Sequence, residues 1–526
     1  MKQLFLILPL LALLTVACKR EQAVWESDWQ VPLLDDTLNL DKLVEDSIVS
    51  VNGGYYELAI DRTIYELKLS DIVDIPDTTI KDDYGFTFNT NVPPGASFVP
   101  GNVEEHVIDM GDIELKKIRV KSGGVQITAK SPIGTTCFFK IQLPGATKNG
   151  VTLTQEFEVP PGSSSNLSEV SGFVDLAGYE LDLRGQTQGS FNKIQSKMSV
   201  KTDANGPQVS VTTLDTLRFT ATINDLVIDY ARGYFGSQLI TDTISENIDA
   251  LSKISSGIID LPSSSIELEL VNGLKMSAKA KLTELKNVNA QQSTVNMTHP
   301  TLDSWITINS ATGTENSLQP SSTSLLFDGS NSNVEQYLEN HGAKNDIGFE
   351  LQLNPWGNVS GGWDEIFPQS SLKVNLKANM PLAVGLTDVV LKDTFDFSFK
   401  QDFTKTHVTS GTMWVKATNA FPLSGVVTLY LLDASGNTIA TINGSSTFSS
   451  SVFGSVVNGI LQKQSFVEFP IAESVLEQLD LVKQLSLKVT MNTPNPNTNI
   501  SEQMAIPADA FFGFKVGAKL KVEARI

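Results

Sequence analysis

Two cysteines and four histidines in 526 residues leave little material for thiol or metal chemistry. Cys18 stands near the N-terminus and Cys137 far inside, so the chain cannot be a disulfide-stapled scaffold and must rely on packed cores. His106, His299, His341 and His407 are far apart, and none has a metal-ligating neighbour at a useful spacing. Positive charge is scarce as well. The 39 Lys and Arg against 59 Asp and Glu give a formal charge of −20, with the acids scattered along the chain. Such a surface repels phosphate backbones and anionic headgroups, which argues against nucleic acid as a partner. There is no GxSxG elbow, no HExxH and no glycine-rich phosphate loop, so no catalytic residue, cofactor or metal ligand is assigned. The densest acidic group, Asp71, Asp74, Asp77, Asp82 and Asp83, has hard oxygens but not the order of a calcium loop, and reads as solvated.

What is present begins at the first residue. Lys2 supplies a positive start, Leu4 to Leu14 form an apolar run too short to span a bilayer comfortably, and Thr15, Val16 and Ala17 lead into Cys18. A small residue followed directly by cysteine resembles a lipobox, with Leu14 one place early and Thr15 where the pattern prefers Leu. That resemblance implies cleavage before Cys18, acylation of Cys18 and attachment to a membrane through its lipid. With Cys18 so used, Cys137 is a free thiol. Its neighbours Phe138 and Phe139 on an alternating run predict that it is buried and inert.

The rest of the chain is dominated by period-two alternation. Tyr55–Ile60 and Thr63–Leu69 suggest a hairpin. Several antiparallel strands are expected over 108–157, punctuated at Gly123-Gly124, and more over 172–183 and 208–230. Three helices are predicted. Ile240, Ile244, Ile248, Leu251 and Ile254 form a stripe over 239–256, Ser332-Asn333-Val334-Glu335 reads as a capping box, and Ile471 to Leu485 is a third candidate. The expected fold class is mainly β: several antiparallel sheets or β-sandwich modules with a few packed helices. Pro160-Pro161-Gly162-Ser163-Ser164-Ser165 is the best early boundary. The domains are therefore expected at 1–17 (signal peptide), 18–160, 166–330 (with the helix) and 331–526. The final run, Phe511 to Ile526, is two-faced in the manner of a barrel strand. It reads as closing a soluble sheet, because charges interrupt too many strands for a lipid-facing band.

Three segments repeat a pattern of strand, Asn, turn and strand: Ser265–Leu285 around Asn272, Ser371–Leu391 around Asn379 and Pro381, and Gly411–Leu432 around Asn419 and Pro422. Asn can bond its own backbone and Pro removes a donor, so the pair ends one ladder before the next begins. Leu487–Pro496 suggests a degraded fourth copy. These units resemble the β-sandwich modules of water-stress and late-embryogenesis proteins, over about twenty residues each. The whole chain, with its leader ending at Cys18, early tryptophans and Ser/Thr/Asn-rich strands, resembles the large β-rich outer-membrane lipoproteins of the Bacteroidota.

The function expected is non-enzymatic: a lipid-anchored outer-membrane protein, on either the periplasmic or the surface face, that binds or scaffolds an envelope component. Two alternatives are a lipid carrier with an apolar groove and a glycan-binding surface protein. The glycan reading rests on Trp356 and Trp363 in the Gly-rich segment LNPWGNVSGGWDEIFP, against the plainer view that they plug the end of a sandwich.

Overall fold

The computed structural model describes residues 24–39, 49–97, 99, 101–247, 254–340, 342, 344–396, 406–476, 478, 481–494 and 503–525. The leader and Cys18 lie outside the described residues.

The chain is mainly β, with 33 strands and only short helical turns among the described residues. Every strand pair is antiparallel. One large sheet has ten strands. Its spine is the pair Glu114–Ser131 and Thr216–Tyr234, and its apolar face buries Ile118, Val120, Ile127, Phe139, Ile141, Val200 and Phe219. A second unit is a sandwich. Tyr55–Lys68, Ser371–Pro381, Ser265–Asn272 and Ser321–Phe327 form one layer; Gln238–Asn247, Lys344–Leu353 and Ala278–Val288 form most of the other. Tyr65 meets Phe349 edge-on between them, with ring centroids 4.9 Å apart. A third sandwich joins a sheet built on Val24–Asn39, Phe511–Arg525 and Thr406–Asn419 to one built on Ala383–Asp396, Gln484–Asn492 and Ser424–Leu432. Met413, Leu429, Phe469 and Leu520 fill its core.

The expected helix over 239–256 is not formed. Gln238–Asn247 is a strand paired along its length with Lys344–Leu353, residues 248–253 lie outside the described set, and Ile254–Asp260 is again a strand. An interval of four suits a helix but is also even, so Ile240 and Ile244 share one face of a strand equally well. The β-branched Thr241 and Thr243 between them favour that outcome. The hairpin expected over 55–69 is a single strand, Tyr55–Lys68, which bulges where Tyr65 and Thr63 face Val374 and Asn375. The second helix exists as Val334–Glu339, but Asn333 stands at its N-cap and no capping box forms. Asn333 Oδ1 accepts instead from the Thr298 N–H at 2.7 Å, and the Ser332 hydroxyl donates to the Asp328 carbonyl. The third is one turn, Glu473–Leu476, before the chain returns to strand at Gln484.

Pro160 to Ser165 is a turn within one sheet: Val151–Val159 and Ser168–Asp175 both belong to the large sheet. That sheet also takes Asp364–Ile366, and the middle sandwich takes strands from either side of residue 330. Gly123-Gly124 does not break its strand either. Gly123 at φ 102 sits in a bulge opposite Asp225, where any Cβ would collide with the Asp225 carbonyl. Cys137 is fully buried and unpaired, and desolvation pushes its thiol up to about 11.

The three repeated units share one architectural task. Each leaves one sheet and enters another: Ser265–Asn272 to Ala278–Val288, Ser371–Pro381 to Ala383–Asp396, and Thr406–Asn419 to Ser424–Leu432. Two of them do so with the same hydrogen bonds. Asn272 Oδ1 accepts from the Leu274 N–H at 2.9 Å, while Nδ2 donates to the carbonyls of Met276 and Asn309 at 3.2 and 2.8 Å. Asn419 Oδ1 accepts from the Phe421 N–H at 2.9 Å, and Nδ2 donates to the carbonyls of Leu423 and Ser449 at 2.7 and 2.9 Å. Both asparagines are fully buried. Asn379 is exposed, because the step there is one residue shorter before its proline and Ala378 takes the buried place.

Candidate ligand-binding surface

Trp356 and Trp363 stand on the loop between Lys344–Leu353 and Asp364–Ile366, about half exposed at 50% and 55%. They do not plug a core. The loop depends on Gly357, Gly361 and Gly362, all at positive φ. It is tied to the large sheet by Lys116, whose Nζ donates to the Gly361 carbonyl at 2.6 Å, and by Asn358, whose Nδ2 donates to Glu114 at 3.1 Å. Asn358 Oδ1 in turn accepts from the Gly362 N–H at 2.6 Å. The tryptophans are thus displayed on a stitched loop fixed to neighbouring strands.

Cations flank both rings. Lys116 Nζ lies 4.8 Å and Arg232 Cζ 5.4 Å from the centre of the Trp363 ring; Lys279 Nζ lies 4.9 Å from that of Trp356. A third indole, Trp305, is 42% exposed with Lys281 Nζ 5.3 Å from its centre. Lys279 and Lys281 alternate along Ala278–Val288 and so share its outer face, while Ala278 and Ala280 pack inward. Trp305 was missed in the sequence because nothing near it is Gly-rich; only the strand that carries Lys279 and Lys281 links it to Trp356.

Behind these rings lies a lattice of ion pairs. The buried Glu365 carboxylate accepts from Tyr230 Oη at 2.8 Å, from Arg232 Nε and Nη2 at 3.0 and 2.6 Å, and from Lys275 Nζ at 2.5 Å. Burial alone would raise its pKa, but these donors outweigh burial and hold the carboxyl below the ordinary glutamate range. Arg119 bridges Asp229 at 2.8 Å and grips Glu315 with both terminal nitrogens. Burial raises Asp364, next along the strand. Successive strand residues point to opposite faces, so Asp364 and Glu365 do not form an acid and base across one cleft. The surface can stack apolar ring faces on its indoles and offer charged donors and acceptors at their rim.

Of the acidic group read as solvated, Asp71, Asp74, Asp77 and Asp83 are exposed. Asp71 accepts from the Lys68 N–H at the start of Leu69–Ile72, and Asp77 accepts from the Asp225 N–H. Asp82 instead lies with Glu104 and His106, with one ligand-type atom from each within 4.8 Å of the others. The expectation that His106 lacks a ligating neighbour is therefore corrected: Glu104, two residues earlier, shares its strand face.

No protein-family model matches this chain, and no curated protein does. Among solved structures it is similar to a presumed secreted protein from Parabacteroides distasonis, at 13% identity over 67% of this chain and 99% of that one, with a TM-score of 0.19. It is also similar to the infectious bursal disease virus Gx strain structure, at 10% identity over 92% and 82% of the two chains, with a TM-score of 0.13. Similarity at this level says nothing of what the chain does.

Proposed function

We propose that this chain is a non-enzymatic binding protein of the bacterial outer membrane, held there by lipid on Cys18, and that its ligand is a glycan met on the tryptophan face. The observation that carries this reading is the set of exposed indoles Trp305, Trp356 and Trp363, fixed by strands and a stitched loop and rimmed by cations and carboxylates. Indoles already in place lose little conformational freedom when they stack on a sugar ring. The lipid-carrier alternative has less support. Among the described residues, the apolar cavity between the layers of the middle sandwich measures about 40 Å³, far below the ~300 Å³ or more of an ordinary ligand pocket.

The double variant Trp356→Ala/Trp363→Ala is expected to lose roughly tenfold or more in affinity for any polysaccharide the wild type retains in affinity electrophoresis, from ~0.7 to 1.5 kcal/mol for each ring. Its melting temperature should hold, since both rings are exposed. Equal retention of wild type and variant, or no retention on any polysaccharide, overturns the glycan reading. The anchor is tested separately: the wild type should take up a clickable palmitate analogue and sediment with membranes, and Cys18→Ala should do neither.

A further inference from the structure

The large sheet curls so that two of its outer strands approach without a backbone ladder between them. Among the described residues, Thr78–Gly85 pairs only with Thr216–Tyr234, and Val103–Val107 pairs only with Lys193–Thr202. Side chains span the seam: Tyr84 on the first strand donates its hydroxyl to Glu104 Oε1 on the second at 3.0 Å. Asp82 lies on the same strand face as Tyr84 and the buried Ile80, and Ile80 lines an interior cavity with Ile194 and Ser196. His106 Nε2 lies 2.8 Å from the Ser196 hydroxyl, which is itself buried. Asp82, Glu104 and His106 therefore meet at the seam, partly buried, each from a rigid strand.

The charge there is unbalanced. Among the described residues no Lys or Arg forms an ion pair with Asp82 or Glu104, whereas Glu105, on the opposite strand face, pairs with Lys193 at 2.7 Å. Glu365 likewise has both Arg232 and Lys275. Two carboxylates and an imidazole brought within 4.8 Å of one another, with no Lys or Arg ion pair to either carboxylate among the described residues, make a donor set for a divalent cation. The imidazole favours zinc over calcium or magnesium, which prefer all-oxygen shells. Tyr84 and Ser196 supply outer contacts of the kind that orient ligands.

We propose that Asp82, Glu104 and His106 form a zinc-class metal site that clamps the open seam of the large sheet. Three protein ligands leave a fourth position for water or for a group from a partner.

The test uses the full chain, stripped with chelator and titrated with Zn²⁺ by calorimetry, alongside thermal melts. The wild type is expected to bind one Zn²⁺ per chain at micromolar affinity or tighter and to melt several degrees higher when loaded. Glu104→Gln and His106→Ala should each weaken binding at least tenfold and abolish the rise in melting temperature. Glu105→Gln should bind like wild type, and Ca²⁺ at the same concentration should give neither heat nor shift. If a variant's metal-free circular dichroism departs from wild type, Asp82→Asn replaces it in the comparison. Zn²⁺ binding unchanged in the three ligand variants, no binding by wild type, or an equal response to Ca²⁺ would each overturn the proposal.

Discussion

Replacing Asn272 with Ala is expected to destabilise the protein by ~3 to 5 kcal/mol in urea unfolding, while the same change at Asn379 costs less than ~0.5 kcal/mol. The difference follows from burial and hydrogen bonding. Asn272 satisfies one N–H and two carbonyls that have moved out of their strand ladders. Without its side chain, the buried Leu274 N–H and Met276 carbonyl lose their partner, each worth ~1 to 3 kcal/mol when orphaned, while the Asn309 carbonyl keeps the Ser321 hydroxyl. Asn419→Ala should cost about as much as Asn272→Ala, since its three partners stand at the corresponding places. A loss beyond ~2 kcal/mol at Asn379, or a cost under ~1 kcal/mol at Asn272, would show that the crossing between sheets is held by something other than this amide. Against a total of ~5 to 15 kcal/mol for ordinary domains, the first effect is large enough to impair expression.

Glu365→Gln is expected to lower stability by ~2 to 3 kcal/mol at neutral pH, below the ~3 to 5 kcal/mol for breaking a fully buried pair because Arg232 and Lys275 are partly exposed. The amide keeps an oxygen for Tyr230 but sets an N–H₂ against one of the two cations. The pH dependence identifies the cause. A carboxyl whose folded pKa is depressed stabilises fully above its unfolded value, near ~4.3, and that contribution fades as pH falls through the lowered folded value. The gap between wild type and variant should thus stay level from about pH 5 to 8 and close only below about pH 4. A gap that stays open below about pH 4 would mean that packing, not charge, explains the loss.

The β class was legible because alternation is a local property of the chain, and runs such as Ile266, Leu268 and Leu270 display it plainly. The helix over 239–256 failed for an equally local reason, since isoleucines four apart satisfy both periods. Which sheet a strand joins was not legible. Nothing near Tyr55–Lys68 announces that its partner is Ser371–Pro381, some three hundred residues on. Trp356 and Trp363 stood out by their glycines, yet Trp305 and the cations over the rings come from strands that only the fold brings near. Glu104 and His106 stand two apart, a spacing that brings two ligands to one side only on a strand. Asp82 joins them through the curl of the large sheet, which no local pattern encodes.

The strand Phe511–Arg525 lies between Val24–Asn39 and Thr406–Asn419, so both flanking strands are made before the strand that joins them. Roughly 470 residues separate it from its first partner, about 25 to 95 s of translation at ordinary rates. Throughout that interval Val24–Asn39 lacks its ladder partner, and Thr406–Asn419, once made, waits with one side open, the surface on which misassembly with other chains begins. Without Phe511–Arg525 the strand Val24–Asn39 would therefore stand alone, with no bridge to the sheet of Thr406–Asn419 and Ile460–Ile471, and a folding helper that shields strand edges has its most natural client here until the joining strand docks.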